Sequence, residues 1–159
     1  MAASLRLIGA DGCPGGWMVA LEYTDRATAL ERWDTFHLGA VARRSSVAAV
    51  VVDIPIGLPS KGSRACDLEA RRMLGRPRAS SVFPAPLRPM LEATTYEQAQ
   101  RIRRRIDGRG WSRQAHGILA RVAEVDAMLR HQGAERVYEG HPELAFQALA
   151  DGVPLADSK

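Results

Sequence analysis

Leu5-Arg6-Leu7-Ile8-Gly9-Ala10-Asp11-Gly12-Cys13-Pro14-Gly15-Gly16-Trp17-Met18-Val19-Ala20 is the stretch on which the reading of this chain turns. A mostly apolar run leads to one carboxylate, Asp11, and then to a turn made of Gly, Pro and Gly. A second apolar run, Trp17 to Leu21, leaves that turn. The pattern predicts two adjacent strands joined by a tight connection, with Gly12, Gly15 and Gly16 free to take positive φ angles. Asp11 falls where a buried strand gives way to exposed backbone. A carboxylate at such a point can hold a cation while neighbouring amides face a phosphate. The plainer reading is an Asp that starts a turn.

Two further stretches end in the same way. Val47-Ala48-Ala49-Val50-Val51-Val52 is apolar at every position, as in a parallel strand covered on both faces, and it stops at Asp53 before Pro55, Gly57 and Pro59. Arg136-Val137-Tyr138-Glu139 reads as a short strand that ends in Glu139 before Gly140-His141-Pro142. Ala27 to His37 is expected to be a third strand anchored by Leu30, Trp33 and Phe36, with a short helix over Leu38–Arg44.

Helix signals fill the rest. One helix runs from Ser63 or Arg64 to Leu74, closed by Gly75, and the four prolines between Arg76 and Pro89 predict an ordered irregular loop. Thr95 caps a helix over Tyr96–Ile106, and Ser112 caps a longer one through Leu129 that Gly133 closes. Pro142 opens a last helix to about Ala150.

At 159 residues, 46% of them apolar, the chain is long enough for one domain, 1–159, with its own core. No apolar run approaches the ~20 residues of a membrane span, the N-terminus lacks the pattern of a signal peptide, and Cys13 and Cys66 are too few for a disulfide framework. These features exclude a membrane role and point to the cytoplasm. The net charge of +4 permits a polyanionic partner, nucleic acid above all, without requiring one. Lys61 and Lys159 are the only lysines, and guanidinium forks suit phosphates.

Three strand-end carboxylates, Asp11, Asp53 and Glu139, suggest a shared site, because sheet ligands bind where strand ends open into loops. Such acids repel one another unless a cation lies between them, and an all-oxygen donor set favours Mg2+ or Mn2+. Bound divalent ions activate water for attack on a phosphodiester. His141 is a candidate general acid or base and Glu143 a further metal ligand; the alternative is that the pair serves the N-terminal end of the last helix. Arg64, Arg71, Arg72, Arg76 and Arg78 surround Ser80-Ser81 and are candidates to hold phosphates. Arg101 to Arg113 form a denser run, read either as a solvated face or as a nucleic-acid contact. Asp67 and Glu69 are expected to pair locally with arginines.

Several blocks occur together in order: Gly9 to Trp17, Asp53-Ile54-Pro55-Ile56-Gly57-Leu58, Arg64-Ala65-Cys66-Asp67 with Ala70-Arg71, and Ser80-Ser81-Val82-Phe83-Pro84. Gln114, Glu124-Val125-Asp126 and Glu139-Gly140-His141-Pro142-Glu143 follow them. This set resembles the domain-of-unknown-function family numbered 429, described as predicted nucleases of ribonuclease H-like fold. The resemblance implies an α/β fold: a mixed five-stranded sheet, three antiparallel strands then parallel ones, flanked by helices, with an insertion over about 59–113. It implies a metal-dependent nuclease with Asp11, Asp53, Glu139 and His141 catalytic, and with Asp11, Asp53, Glu139 and Glu143 on the metal. Arg64, Arg71, Arg78, Ser80, Ser81 and Gln114 would bind substrate. The family pattern continues past the position of Lys159 with a further helix. A shortened C-terminus is therefore expected to leave an apolar patch around Val50, Val52 and the Leu144, Phe146, Leu149 side of the last helix, and a homodimer would cover it. The competing reading is a binding module for nucleic acid or protein that keeps the fold without turnover. A sugar-kinase or actin type of phosphotransferase also opens with Asp-x-Gly, but it needs two such domains.

Overall fold

The structure is a computed structural model and describes residues 4–132 and 135–153. The chain divides into two compact units, the first Met1–Ile56 with Arg121–Gly140, the second Gly57–Ala120 with His141–Lys159.

The first unit is built on a five-stranded sheet. Strands β1 (Leu5–Cys13), β2 (Gly16–Tyr23) and β3 (Ala29–Trp33) form an antiparallel meander, and β4 (Ala49–Val52) and β5 (Val137–Glu139) add in parallel beside β1. The sheet order is β3-β2-β1-β4-β5. Pro14 and Gly15 form the two-residue connection between β1 and β2. Gly15 alone of the three expected glycines is left-handed, at φ 77°, and Pro followed by such a Gly is the order of a type II turn. Gly16 is needed for a different reason: a Cβ there would lie 2.2 Å from the carbonyl oxygen of Trp33 on β3.

Period-two alternation sorts the side chains. Ile8, Ala10, Trp17, Val19, Leu21, Val50, Val52 and Val137 are buried, as are Leu38 and Val41 of helix α1 (Thr35–Ala42) and Val122, Val125 and Met128 of helix α5 (Leu119–Gln132). On the alternate positions Leu7, Met18 and Tyr138 stay exposed, and Val51 is 43% exposed. Val47 ahead of the strand is fully buried, but within β4 the exposure of Val51 leaves the two-sided cover that its composition predicts incomplete. The expected patch around Val50 and Val52 is corrected in the same way: both are fully buried, and Val51 between them is the exposed one.

The third strand is shorter than expected. Asp34 ends it by capping α1, its Oδ1 accepting the His37 N–H at 2.6 Å, so Phe36 falls in the first turn of a helix. Leu30 and Phe36 are 72% and 75% exposed, and only Trp33 of the three anchors is buried.

The second unit is mostly helical: α2 (Ala65–Leu74), α3 (Tyr96–Asp107), α4 (Arg113–Gly117) and α6 (Pro142–Leu149), with short 3-10 turns at Arg78–Ser81 and Arg88–Glu92 inside the proline-rich segment. Leu87, Met90, Ala99, Trp111, Ala115 and Leu119 form its core. Thr95 and Ser112 cap as expected, accepting from the Gln98 and Ala115 amides. The single long helix after Ser112 is in fact two, since Gly117, a poor helix former, ends α4 and α5 restarts after Ile118. The expected stop at Gly133 lies outside the described residues. Among the described residues no helix is long and apolar enough to cross a membrane.

The two backbone readings separate by substitution. Gly16→Ala forces a methyl against backbone that cannot swing aside and is expected to cost about 1–3 kcal/mol. Gly9→Ala, in the same hairpin with nothing within 4 Å of the added carbon, is expected to be neutral or to stabilise. Urea unfolding of both variants measures the difference.

Candidate functional site: carboxylates at the strand ends

Parallel register decides where the acids fall. Ala10 of β1 pairs with Val52 of β4, and Val52 pairs with Glu139 of β5. Asp11 and Asp53 each follow the paired residue by one, and the pairing extends that far, the Asp53 N–H donating to the Ala10 carbonyl at 3.1 Å; Asp11, expected where its strand ends, lies instead inside β1, paired with Met18 of β2. Asp11, Asp53 and Glu139 therefore stand at the same end of one sheet.

They do not share one face. Alternation puts Asp11 with exposed Leu7 and Gly9, and Asp53 with exposed Val51, whereas Glu139 takes the parity of buried Val137. All three residues are exposed. Glu139 Oε2 accepts the Ile56 N–H at 2.8 Å and so ties down the loop that follows Asp53. Gly140 completes this edge: its N–H donates to the Val52 carbonyl at 2.9 Å, and a Cβ there would lie 2.3 Å from Val51 Cγ1.

Among the described residues no three His, Cys, Asp or Glu side chains converge on a common metal position. Asp11 and Asp53, on neighbouring strands about 4.8 Å apart, form the pair that fits an ion. Mg2+ is typically held by one or two carboxylates, keeps several waters and takes further oxygens from a phosphate. An open two-carboxylate edge fits that habit better than it fits a closed protein cage.

His141 and Glu143 lie in the second unit, joined to the Arg78–Ser81 turn. His141 Nε2 is 3.4 Å from the Ser81 carbonyl oxygen, and Glu143 Oε1 is 3.5 Å from Arg78 Nη1 in a largely buried pair. His141 occupies the N-cap position of α6, but its side chain makes no capping bond. His141 Nδ1 and Glu143 Oε2 are buried and meet no hydrogen-bond partner among the described residues.

The candidate substrate arginines are mostly internal struts of this unit. Arg64 is buried against Asp67, Arg71 donates through Nε and Nη2 to the Val82 carbonyl at 3.0 and 2.6 Å, and Arg78 is buried beside Glu143. The local pairing expected of Asp67 and Glu69 is present, with Arg64 and Arg72. The Ser80 and Ser81 hydroxyls donate to the Pro77 and Arg78 carbonyls of their own turn at 3.0 and 2.8 Å, and Ser80 is exposed. Gln114 is exposed on α4. The arginine run is not one solvated face either. Arg103 is 2% exposed, paired with Asp107 at 3.3 Å and donating to the Ala85 carbonyl at 3.2 Å. Burial pulls its guanidinium below the ordinary value, with Asp107 opposing the shift and Arg109 adding to it.

Sequence reasoning passed over Arg121 and Thr35. Arg121 Nη2 donates to the Cys13 carbonyl at 3.1 Å, and its Nη1 donates to Glu124 Oε2 at 2.6 Å. Thr35 donates to the same Glu124 oxygen at 2.6 Å. The i, i+3 spacing of Arg121 and Glu124 was a readable signal; the link to Cys13, 108 residues away, was not.

Three antiparallel strands followed by two parallel ones, with acids at the parallel strand ends and helices packed on the sheet, define an α/β protein of ribonuclease H-like arrangement. The chain belongs to the family described as protein of unknown function DUF429, whose model matches residues 9–159. No curated protein and no solved structure matches it.

The buried pair of the second unit gives a direct check on the arginine run. Asp107→Ala removes the counter-ion of Arg103 and the acceptor of the Gly62 N–H, and is expected to destabilise by about 3–5 kcal/mol. Arg104→Ala, on exposed surface next to Arg103, is expected to change stability by less than about 0.5 kcal/mol. Thermal and urea unfolding compare the two.

Proposed function

We propose that this chain is a metal-dependent nuclease or phosphodiesterase that hydrolyses nucleic-acid phosphodiester bonds. One observation carries the reading: Asp11, inside β1 one residue past its last pairing with β4, and Asp53, one residue past the end of β4, stand on adjacent parallel strands and on one side of the sheet. Asp11 and Asp53 would hold Mg2+ or Mn2+, and Glu139 holds the loop after Asp53 through the Ile56 amide. A bound divalent ion supplies Lewis-acid polarisation of a phosphoryl oxygen and a more acidic water. The protein contributes two fixed carboxylates and a pinned loop, which set where a phosphate approaches. A cytoplasmic setting, with Cys13 and Cys66 as free thiols, goes with this reading.

A binding module without turnover is the second reading. It is favoured by the absence of three convergent ligands among the described residues and by the engagement of one Glu139 oxygen with backbone.

Cleavage of labelled DNA and RNA oligonucleotides with Mg2+, Mn2+ or EDTA distinguishes the two. Metal-dependent hydrolysis is expected, and Asp11→Asn or Asp53→Asn is expected to lower it roughly a hundred-fold or more, the loss of several kcal/mol of charge stabilisation. Retarded oligonucleotides without cleavage under any metal would favour the binding module.

A further inference from the structure

Four side chains make a chain of hydrogen bonds that links the two strands of the hairpin carrying Asp11. Trp17 is wholly buried, and its indole N–H donates to Thr35 Oγ1 at 2.9 Å. The Thr35 hydroxyl donates onward to Glu124 Oε2 at 2.6 Å. That oxygen also accepts from Arg121 Nη1 at 2.6 Å, and Arg121 Nη2 returns to the hairpin by donating to the Cys13 carbonyl at 3.1 Å. The guanidinium carbon stands 5.9 Å from the Trp17 ring centroid, and Arg121 Cγ is 3.8 Å from the place where a Gly12 Cβ would be. The chain of bonds thus begins and ends on the two strands of one hairpin, crossing α1 and α5 on the way.

Every bond has a single direction. The indole N–H only donates and the guanidinium only donates, so the Thr35 hydroxyl must pass its proton toward Glu124, and Glu124 Oε2 receives two donors as a carboxylate. Such an arrangement holds the guanidinium at one angle. As an ion pair it is worth little to stability, because both side chains of the Arg121–Glu124 pair are partly exposed. Its position is the informative part: the carbonyl it holds is two residues past Asp11, and the backbone it abuts is that of Gly12.

We infer that Arg121 is a positioning residue for Asp11, fixing the strand end through the Cys13 carbonyl, with Glu124 and Thr35 holding Arg121 in turn. This rests on the reading that Asp11 and Asp53 bind the catalytic cation. Groups behind a metal ligand typically tune metal affinity or activity ten- to hundred-fold.

The test compares the full chain with Arg121→Ala, Arg121→Lys, Glu124→Gln and Asp11→Asn, using Mn2+ binding followed by water-proton relaxation, hydrogen exchange of the amides from Gly12 to Trp17, and steady-state cleavage. Arg121→Ala is expected to weaken Mn2+ about ten- to hundred-fold, to lower kcat alike with KM unchanged, and to speed exchange in the turn. Arg121→Lys keeps one donor for Cys13 and is expected to recover part of the Mn2+ affinity. Unchanged Mn2+ affinity and unchanged turn exchange in both Arg121→Ala and Glu124→Gln, while Asp11→Asn loses the ion, would overturn the positioning role and leave the nuclease reading standing. A raised KM with kcat intact would overturn it as well, since Arg121 would then touch substrate itself. Mn2+ binding that Asp11→Asn leaves unaltered would overturn both.

Discussion

A tryptophan indole that is removed from water needs an acceptor, and meeting that need organises the sheet-bearing unit. Trp17 has no exposed surface, and its N–H is satisfied by Thr35 at the first position of α1. Burying a ring of this size is worth several kcal/mol, and an unsatisfied N–H would take back about 1–3 of them. Thr35 can serve only because Asp34 ends β3 and starts the helix at that residue. The same hydroxyl then reaches Glu124, so α1 and α5 share one polar thread beneath the sheet. The close approach of Trp33 carbonyl and Gly16 belongs to the same packing, since Trp17 pairs with Trp33 across β2 and β3.

The second unit uses charge in an unexpected way. Arg64, Arg78 and Arg103 are all buried, each facing a carboxylate, and Arg71 is spent on a backbone carbonyl. Buried charges of this kind are retained only when their partners are in place, because removing a partner leaves an uncompensated ion. The consequence for function is subtractive. Three guanidiniums are withdrawn from any polyanion together with three carboxylates, so the net charge of +4 is carried by the other residues.

The acids at the sheet edge show how parity governs a site. Asp53 and Glu139 are legible as strand ends, and register brings both to one edge with Asp11. A strand turns successive side chains to opposite sides, so a one-residue offset in register, with Glu139 level with Ala10 and Val52, separates it from the two aspartates. Glu139 then becomes the residue that holds the Ile56 loop.

Much of the architecture was readable in the sequence because it rests on local rules. The Pro14–Gly15 turn, the caps at Thr95 and Ser112, the helix stop at Gly75, and the acids at the ends of β4 and β5 all follow from backbone geometry within a few residues. What local rules leave open was settled by packing. Val51, Leu30 and Phe36 are as apolar as their buried neighbours, and only the assembled layers decide which of them meets another element. Arg103 and Arg104 have the same chemistry and adjacent places in one run, yet one faces Asp107 and the Ala85 carbonyl while the other faces water. The bond from Arg121 to Cys13 joins residues 108 apart, a distance over which sequence carries no geometric information until the chain has folded.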